Sequence, residues 1–163
     1  MTGGLTLKIK EGYGLRTFEK RNVLFVKRID KELPMPFVGT ADSVGMDLFV
    51  RKDVTVPANG SAFLDLNIIV KPPEGYYSIV VPRSSMFKKT GLILTNSVGI
   101  IDPDYCGAED EIRACVYNVT SVPVEVKRGA RLFQLILMPI VRCSVLEVDT
   151  VEGRSRGGYG STD

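Results

Sequence analysis

The chain has 163 residues, of which 44% are hydrophobic and 25% are charged, and its formal net charge is +2. This length suits one compact domain with a core, and this composition argues against intrinsic disorder and against a strongly basic nucleic-acid coat. The longest apolar stretch, residues 135–141, contains Pro139 and is too short to span a membrane. We therefore expect a soluble protein that has neither a nucleic-acid polymer nor a membrane as its partner.

The cysteine and histidine contents restrict the chemistry that the chain can perform. It has three cysteines, Cys106, Cys115 and Cys143, in no close pair, and it has no histidine. These counts argue against a zinc site and a disulfide framework, and the N-terminus shows no export signal. We expect a reducing, cytoplasmic compartment, with the nucleus or a virus-infected cell as alternative settings. A general base must be a carboxylate, lysine, tyrosine or cysteine.

Short runs of β-branched and apolar residues, separated by turn sequences, predict strands along most of the chain. Residues 1–22 precede them and are expected to form an extension or an added edge strand. One short helix is expected at residues 84–89. The predicted strands are residues 23–28, 44–50, 61–70, 76–81, 112–118, 122–127, 131–141 and 143–148. Many short strands in one domain predict an all-β sandwich, jelly roll or barrel.

Two segments in the first half combine residues that could carry chemistry. In residues 45–48, Asp47 interrupts an apolar strand, where it could cap a turn or hold a metal-bound water. After the strand at residues 76–81, Arg83, Ser84 and Ser85 could bind a phosphate with hydroxyl and backbone N–H groups. The simpler explanation of this second segment is an ordinary helix cap beside a solvated arginine.

A third segment, residues 96–107, is the richest in polar side chains. Asn96, Asp102 and Tyr105 could line one pocket, in which Asp102 would be held as a base. The alternative is that Asp102 only forms a turn with Pro103.

Two more polar features follow in the second half of the chain. Gln134 interrupts an apolar run at residues 131–136 and must find a partner if it is buried, as a structural bridge or as a ligand contact. Residues 154–163 combine glycines, arginines and hydroxyls with Tyr159, a composition that suits either a nucleotide clamp or a frayed terminus.

Taken together, the five segments resemble the five ordered motifs of the trimeric dUTP pyrophosphatase (dUTPase) family. The resemblance covers about residues 23–162 and depends on order and spacing rather than on any one segment. The matching stretches are VGMDLFV, VPRSSM, NSVGIIDPDYCG, RGARLFQLI and RSRGGYGST.

The resemblance implies a jelly-roll-like β-barrel with at most one short helix, assembled as a homotrimer whose active sites are shared between subunits. It divides the chain into an N-terminal extension or edge strand (1–22), a jelly-roll domain (23–148) and a flexible C-terminal lid (149–163). It also implies Mg²⁺-dependent hydrolysis of dUTP to dUMP and pyrophosphate, by attack of water on the α-phosphorus. This reaction keeps uracil out of DNA and supplies dUMP for thymidylate synthesis.

The family pattern also implies roles for individual residues. Asp102 would be the general base, Asp47 would act through water on a Mg²⁺ ion that the triphosphate holds, and Gln134 would contact a phosphate. The other implied substrate contacts are Asn96 with the backbone of Gly99 and Ile101 at the uracil edge, Tyr105 against the deoxyribose where it excludes a 2′-hydroxyl, Arg83, Ser84 and Ser85 at the phosphates, Arg154 at the γ-phosphate, Tyr159 over the uracil, and Gly160, Ser161 and Thr162 around the terminal phosphates.

One stretch departs from the family pattern. Residues 107–112 are longer and more acidic than usual after the third motif, and Glu109, Asp110 and Glu111 would lie close to a polyanion. We predict that this acidic insert, residues 108–111, is a solvated bulge.

Other functions remain as alternatives. One is a dUTP-binding regulator with the same fold, and another is a structural jelly roll without catalysis. The related enzyme dCTP deaminase carries a glutamate three residues before an asparagine, whereas the chain has Cys115 before Asn118. This substitution argues against deamination.

Overall fold

The computed structural model describes residues 6–11, 14–19, 23–155 and 157–158. The regular secondary structure of these parts is almost entirely β-strand, as the sequence predicts, with one short helix. The strands are β1 (Thr6–Glu11), β2 (Gly14–Glu19), β3 (Phe25–Arg28), β4 (Phe37–Val38), β5 (Met46–Leu48), β6 (Val54–Val56), β7 (Ser61–Asp65), β8 (Ile68–Lys71), β9 (Tyr76–Pro82), β10 (Leu92–Leu94), β11 (Gly99–Ile101), β12 (Arg113–Asn118), β13 (Val124–Val126) and β14 (Phe133–Pro139), and the helix is α1 (Met86–Thr90).

All strand pairs within the described residues are antiparallel. The largest sheet has five strands in the order β11-β9-β14-β5-β4, and a second has three in the order β10-β12-β7. The remaining pairs are β13-β6, β3-β8 and β1-β2. In the part of the chain that the structure describes, these sheets do not close into one barrel, but the architecture is consistent with the predicted jelly-roll fold.

The two large sheets pack face to face over one apolar core. Phe133 and Leu48 project into it from the five-stranded sheet, and Leu64 and Val116 project from the three-stranded sheet. Because successive side chains of a strand point to opposite faces, β12 alternates buried and accessible residues along its length. Full burial of a side chain such as Phe133 contributes about 1.5–3 kcal/mol to folding.

The longest strand pair gives the sheet its frame. β9 and β14 pair over seven residues, from Phe133 opposite Pro82 to Pro139 opposite Tyr76. β5 continues the sheet on the far side of β14 and places Asp47 opposite Gln134. This frame therefore fixes the positions of Asp47, Gln134 and the residues that follow β9.

Some predicted elements differ from the structure. The strand predicted at residues 61–70 is divided at Asn67, which is buried and has a left-handed φ of 66° that asparagine tolerates. The strand predicted at residues 143–148 is wrong, because this stretch is exposed and pairs with no strand within the described residues. No helix in the described portion is long and apolar enough to cross a membrane.

Candidate active site

A nearly buried carboxylate lies at the centre of the candidate site. Asp47 on β5 is only 7% exposed. Its Oδ1 lies 3.1 Å from Nε of Arg83, and its Oδ2 accepts a hydrogen bond of 3.2 Å from Nη1 of Arg131. A buried carboxylate is costly unless it is paired, and these two guanidinium groups supply the pairing.

Gln134 joins this cluster through the register of the sheet. It lies opposite Asp47 on one side and opposite Val81 on the other. Its Nε2 donates a hydrogen bond of 3.3 Å to the carbonyl of Pro82. A Cβ atom at Gly45 would lie 2.1 Å from Oε1 of Gln134, so a side chain there would displace the amide from this position.

The segment after β9 holds its polar groups at the same end of the sheet. The backbone N–H of Arg83 donates to the carbonyl of Leu132 at 2.8 Å, which fixes the chain as it leaves β9. Ser84 is exposed, and the hydroxyl of Ser85 makes no capping hydrogen bond to α1. Gly91 ends α1 with a left-handed φ of 68°.

The third segment is arranged along β11, at the edge of the five-stranded sheet. Asn96 is exposed in the turn before β11, and Gly99 and Ile101 pair with Val80 and Ser78 of β9. Asp102 follows β11 and is exposed.

A turn links Asp102 to the predicted sugar-binding tyrosine. The N–H of Tyr105 donates to the carbonyl of Asp102 at 3.1 Å. The Tyr105 side chain is partly exposed, and its hydroxyl donates to the carbonyl of Glu111 at 3.3 Å.

The structure thus groups the predicted residues into two clusters, which do not meet within one chain. Asp47 is level with Val81 of β9, whereas Ile101 is level with Ser78 and lies three strands away from β5. Spacings of about 3.3 Å per residue and 4.8 Å per strand separate the two backbones by roughly 17 Å. The Asp47 cluster and the Asp102 segment of one chain therefore lie at separate places on the sheet.

The acidic insert differs from its prediction as a solvated bulge. Glu109 is exposed as expected, but the Glu111 side chain is only 14% exposed and lies 2.8 Å from Nε of Arg51. This hydrogen-bonded pair raises the pKa of Arg51 above its usual value. The prediction is wrong for Glu111, because the ion pair with Arg51, which is distant along the chain, stabilises the partly buried carboxylate.

Arg131 has no role among those predicted from the sequence, although the structure places it directly on Asp47. Its guanidinium also lies 5.6 Å from the centre of the Phe37 ring. The one available signal was a second arginine close to Gln134 in a segment otherwise expected to be buried.

The C-terminal segment of the site is only partly described. Residues 141–155 are exposed throughout, including Arg154. The predicted contacts Tyr159, Gly160, Ser161 and Thr162 lie outside the described residues. Within the described ranges, no three acidic, cysteine or histidine side chains converge as a metal-binding group.

Comparison with known proteins identifies the family. The dUTPase family model matches residues 31–163. A deoxyuridine 5'-triphosphate nucleotidohydrolase of Corynebacterium jeikeium is 37% identical over 85% of this chain and 92% of its own length. A probable deoxyuridine 5'-triphosphate nucleotidohydrolase of Schizosaccharomyces pombe is 35% identical over 85% of this chain and 96% of its own.

Solved structures agree with this assignment. The dUTPase of Streptococcus mutans superposes with a TM-score of 0.68 at 28% identity, covering 74% of this chain and 98% of its own. The dUTPase of Staphylococcus bacteriophage 80alpha, solved with dUPNHPP, has a TM-score of 0.77 over 87% of this chain and 99% of its own; at 23% identity it shows the shared fold. The chain belongs to the dUTPase family.

Proposed function

We propose that this chain hydrolyses dUTP to dUMP and pyrophosphate, and that it does so as a Mg²⁺-dependent homotrimer. The observation that carries the proposal is the convergence of Asp47, Arg83 and Gln134, from three separate motifs, at one end of the five-stranded sheet. The names of the relatives support the same reaction.

This cluster is suited to the phosphate end of the substrate. Arg83 is partly accessible, so its guanidinium can turn from Asp47 to a phosphate, and charge-assisted bonds to phosphate are strong. Ser84, Ser85 and the amide of Gln134 supply further donors beside it. When Arg83 moves, Arg131 remains to neutralise Asp47.

The residues present fit a magnesium ion that the substrate brings with it. Because no protein ligand cluster occurs among the described residues, Asp47 would act on the ion through water while the triphosphate provides direct ligands. Bound in this way, magnesium would neutralise charge on the phosphates. Asp47 would orient the water, and its two arginines keep its carboxylate in place.

At the other cluster, Asp102 would accept the proton of the attacking water. Asn96 and the backbone of Gly99 and Ile101 would contact the uracil edge, and Tyr105 would pack against the deoxyribose. A pocket without room for a 2′-hydroxyl rejects ribonucleotides by shape.

The separation of these two clusters supports a site shared between subunits, because a base must lie within hydrogen-bond reach of the water that it activates. Two exposed apolar surfaces support assembly with other copies. On the three-stranded sheet, Phe63 and Ile93 face outward from the core, and in residues 141–155, Val145 is 96% exposed. Apolar surfaces of this kind mark contacts with another chain.

We further propose that residues 149–163 form a lid over the bound nucleotide. In it, Arg154 would contact the γ-phosphate and Tyr159 would stack on the uracil, with Gly160, Ser161 and Thr162 around the phosphates. The exposure of Arg154 leaves it accessible for this role.

The free thiols Cys106, Cys115 and Cys143 support a reducing, cytoplasmic location. Cys115 also argues against the deaminase alternative, since a thiol cannot replace the carboxylate that deamination would need in this position.

The reaction is tested by incubating the protein with Mg²⁺ and dUTP, dCTP, dTTP or UTP and identifying the products. We expect pyrophosphate and dUMP from dUTP and little reaction with the other three. Deoxyuridine nucleotides from dCTP, or no pyrophosphate from dUTP, would contradict the proposal. Asp102→Asn should lower turnover by several powers of ten and keep nucleotide binding, whereas Asp104→Asn, an exposed neighbour, should leave turnover unchanged.

The shared site is tested by mixing two inactive variants. Subunits with Arg83→Ala keep Asp102, and subunits with Asp102→Asn keep Arg83. After joint refolding of equal amounts, about a quarter of all sites, or one site in each mixed trimer, would combine two intact halves and regain activity. No activity above that of either variant alone would show that each site is built within a single chain.

A further inference from the structure

The loop from Asp102 to Glu111 is fastened to the core at its far end. Ile112, the next residue, is almost completely buried. Its N–H donates to the carbonyl of Ile68, and its carbonyl accepts from the N–H of Leu66, both at 2.9 Å. These two bonds fix the backbone immediately after Glu111.

The Glu111 carboxylate adds a second attachment. Its Oε1 accepts from Nε of Arg51 at 2.8 Å and from the N–H of Asn67 at 2.9 Å, and its Oε2 accepts from Nη2 of Arg51 at 2.9 Å. Arg51 also reaches Asp65 at 3.0 Å. Bidentate, charge-assisted bonds of this kind define both distance and orientation.

This attachment leads directly to the predicted sugar-binding residue. The hydroxyl of Tyr105 donates to the backbone carbonyl of Glu111, so the ring is tied to the residue whose side chain Arg51 holds. Within the loop, the Asp110 carboxylate accepts a hydrogen bond of 2.6 Å from the N–H of Gly107. This bond closes the turn that lies between Tyr105 and Glu111. The acidic insert therefore braces the Tyr105 ring.

We propose that Glu111, held by Arg51, is a positioning residue that fixes the Tyr105 ring and thereby sets the preference for 2′-deoxyribose over ribose nucleotides. The proposal deepens the function proposed above and rests on the placement of Tyr105 at the sugar. Rejection of ribose by shape requires that the Tyr105 ring stays in place. A small displacement of the group that supports the ring is enough to weaken this selectivity.

The test compares Glu111→Gln with Glu109→Gln, the same change at an exposed position of the same insert. Glutamine keeps the volume of Glu111 but removes its charge and directs an amide N–H₂ group at donors. We expect the ratio of kcat/KM for dUTP over UTP to fall about three- to tenfold in Glu111→Gln, the effect of one lost hydrogen bond, and to be unchanged in Glu109→Gln.

A purely structural role would lower the melting temperature of Glu111→Gln and leave this ratio unchanged, which would overturn the proposal. Tyr105→Phe keeps the ring and removes its bond to Glu111, so it should lower the ratio similarly. The double variant should lose no more than the larger single effect, and additive losses would also contradict the proposal. If Glu111→Gln does not fold, the test depends on Tyr105→Phe alone. An unchanged ratio of kcat/KM for dUTP over UTP in that variant would overturn the proposal.

Relative binding of the α,β-imido analogues of dUTP and UTP provides a readout that does not require turnover. If the wild-type protein releases no pyrophosphate, the proposed reaction fails, but the binding ratio still tests the role of Glu111. The same loss of preference is expected in binding. Equal preferences in the wild type and both single variants would count against a positioning role.

Discussion

Replacement of Gly45 by alanine should show how tightly the Asp47 cluster, formed by Asp47, Arg83 and Gln134, is packed. The new Cβ would lie 2.1 Å from Oε1, 2.8 Å from Cδ and 3.1 Å from Cβ of Gln134. The φ of Gly45 lies outside the left-handed region, so alanine meets a steric obstacle and no backbone strain. The Gln134 amide must leave its position and give up its bond to the Pro82 carbonyl.

The expected loss in the free energy of unfolding is about 1 kcal/mol, mainly the lost hydrogen bond, because the atoms that must move are the far end of the flexible Gln134 side chain. For a chain of this length, the melting temperature should fall by roughly 2–4 °C per kcal/mol. Urea unfolding measures the free energy, and pyrophosphate release reports whether the displaced Gln134 amide still serves the substrate. We expect both to fall.

Gly39→Ala is the matched control, because its Cβ would lie 3.9 Å from its nearest neighbour, the Ser43 hydroxyl. Its stability should change by less than about 0.5 kcal/mol. Gln134→Ala removes the two nearest clashing atoms, Oε1 and Cδ, and keeps only Cβ at 3.1 Å, so adding Gly45→Ala should cost little further stability while activity stays low. An unchanged stability of Gly45→Ala, or additive losses in the double variant, would refute the steric argument.

Three further outcomes are expected. Arg131→Met should lower the free energy of unfolding by about 1–3 kcal/mol in a urea titration, because Asp47 keeps only one of its two cations. An unaltered urea midpoint would mean that the Arg83 guanidinium alone is enough to stabilise the Asp47 carboxylate. Arg128 holds the pKa of Asp30 below 3.8, so Asp30 contributes stability that is complete above pH 3.8 and is lost as the pH falls through the lower folded pKa. The difference in the free energy of unfolding between wild type and Asp30→Asn should therefore shrink below pH 3.8. A difference that stays constant with pH would argue against this linkage. Truncation after Glu152 should leave a folded trimer by light scattering and severely reduce turnover, whereas full activity would remove the lid from the mechanism.

The sequence predicts the parts of this molecule in which order along the chain carries information. The spacing of the motifs found Asp47, Arg83 and Gln134, and the strand register then placed them together. It could not reveal that Arg131 pairs with Asp47, because this ion pair joins residues 84 positions apart. Nor could it show that Glu111 is half-buried, since its partner Arg51 is 60 positions away.

Local propensity explains the strand errors. The β-branched residues at 143–148 favour a strand, but a strand needs a neighbour, and the described part of the chain provides none. Asn67 interrupts a continuous apolar run because its amide forms two hydrogen bonds with the backbone of Asp30. Those bonds hold a turn that hydrophobic periodicity alone does not indicate.

In the proposed trimer, assembly and catalysis would depend on the same geometric feature. Within one chain, Asp47 already has two cationic partners, whereas Asp102 lies exposed after an edge strand on the other side of the sheet. A carboxylate in water is a weak base, and excluding water around it strengthens its interaction with a bound substrate. A second copy that covered Asp102 with its own Asp47 cluster would bring the Asp102 carboxylate close to the substrate phosphates. It would also exclude water from both groups. An isolated subunit would then bind phosphate without an adjacent base, so trimerisation would create the catalytic site as well as bury apolar surface.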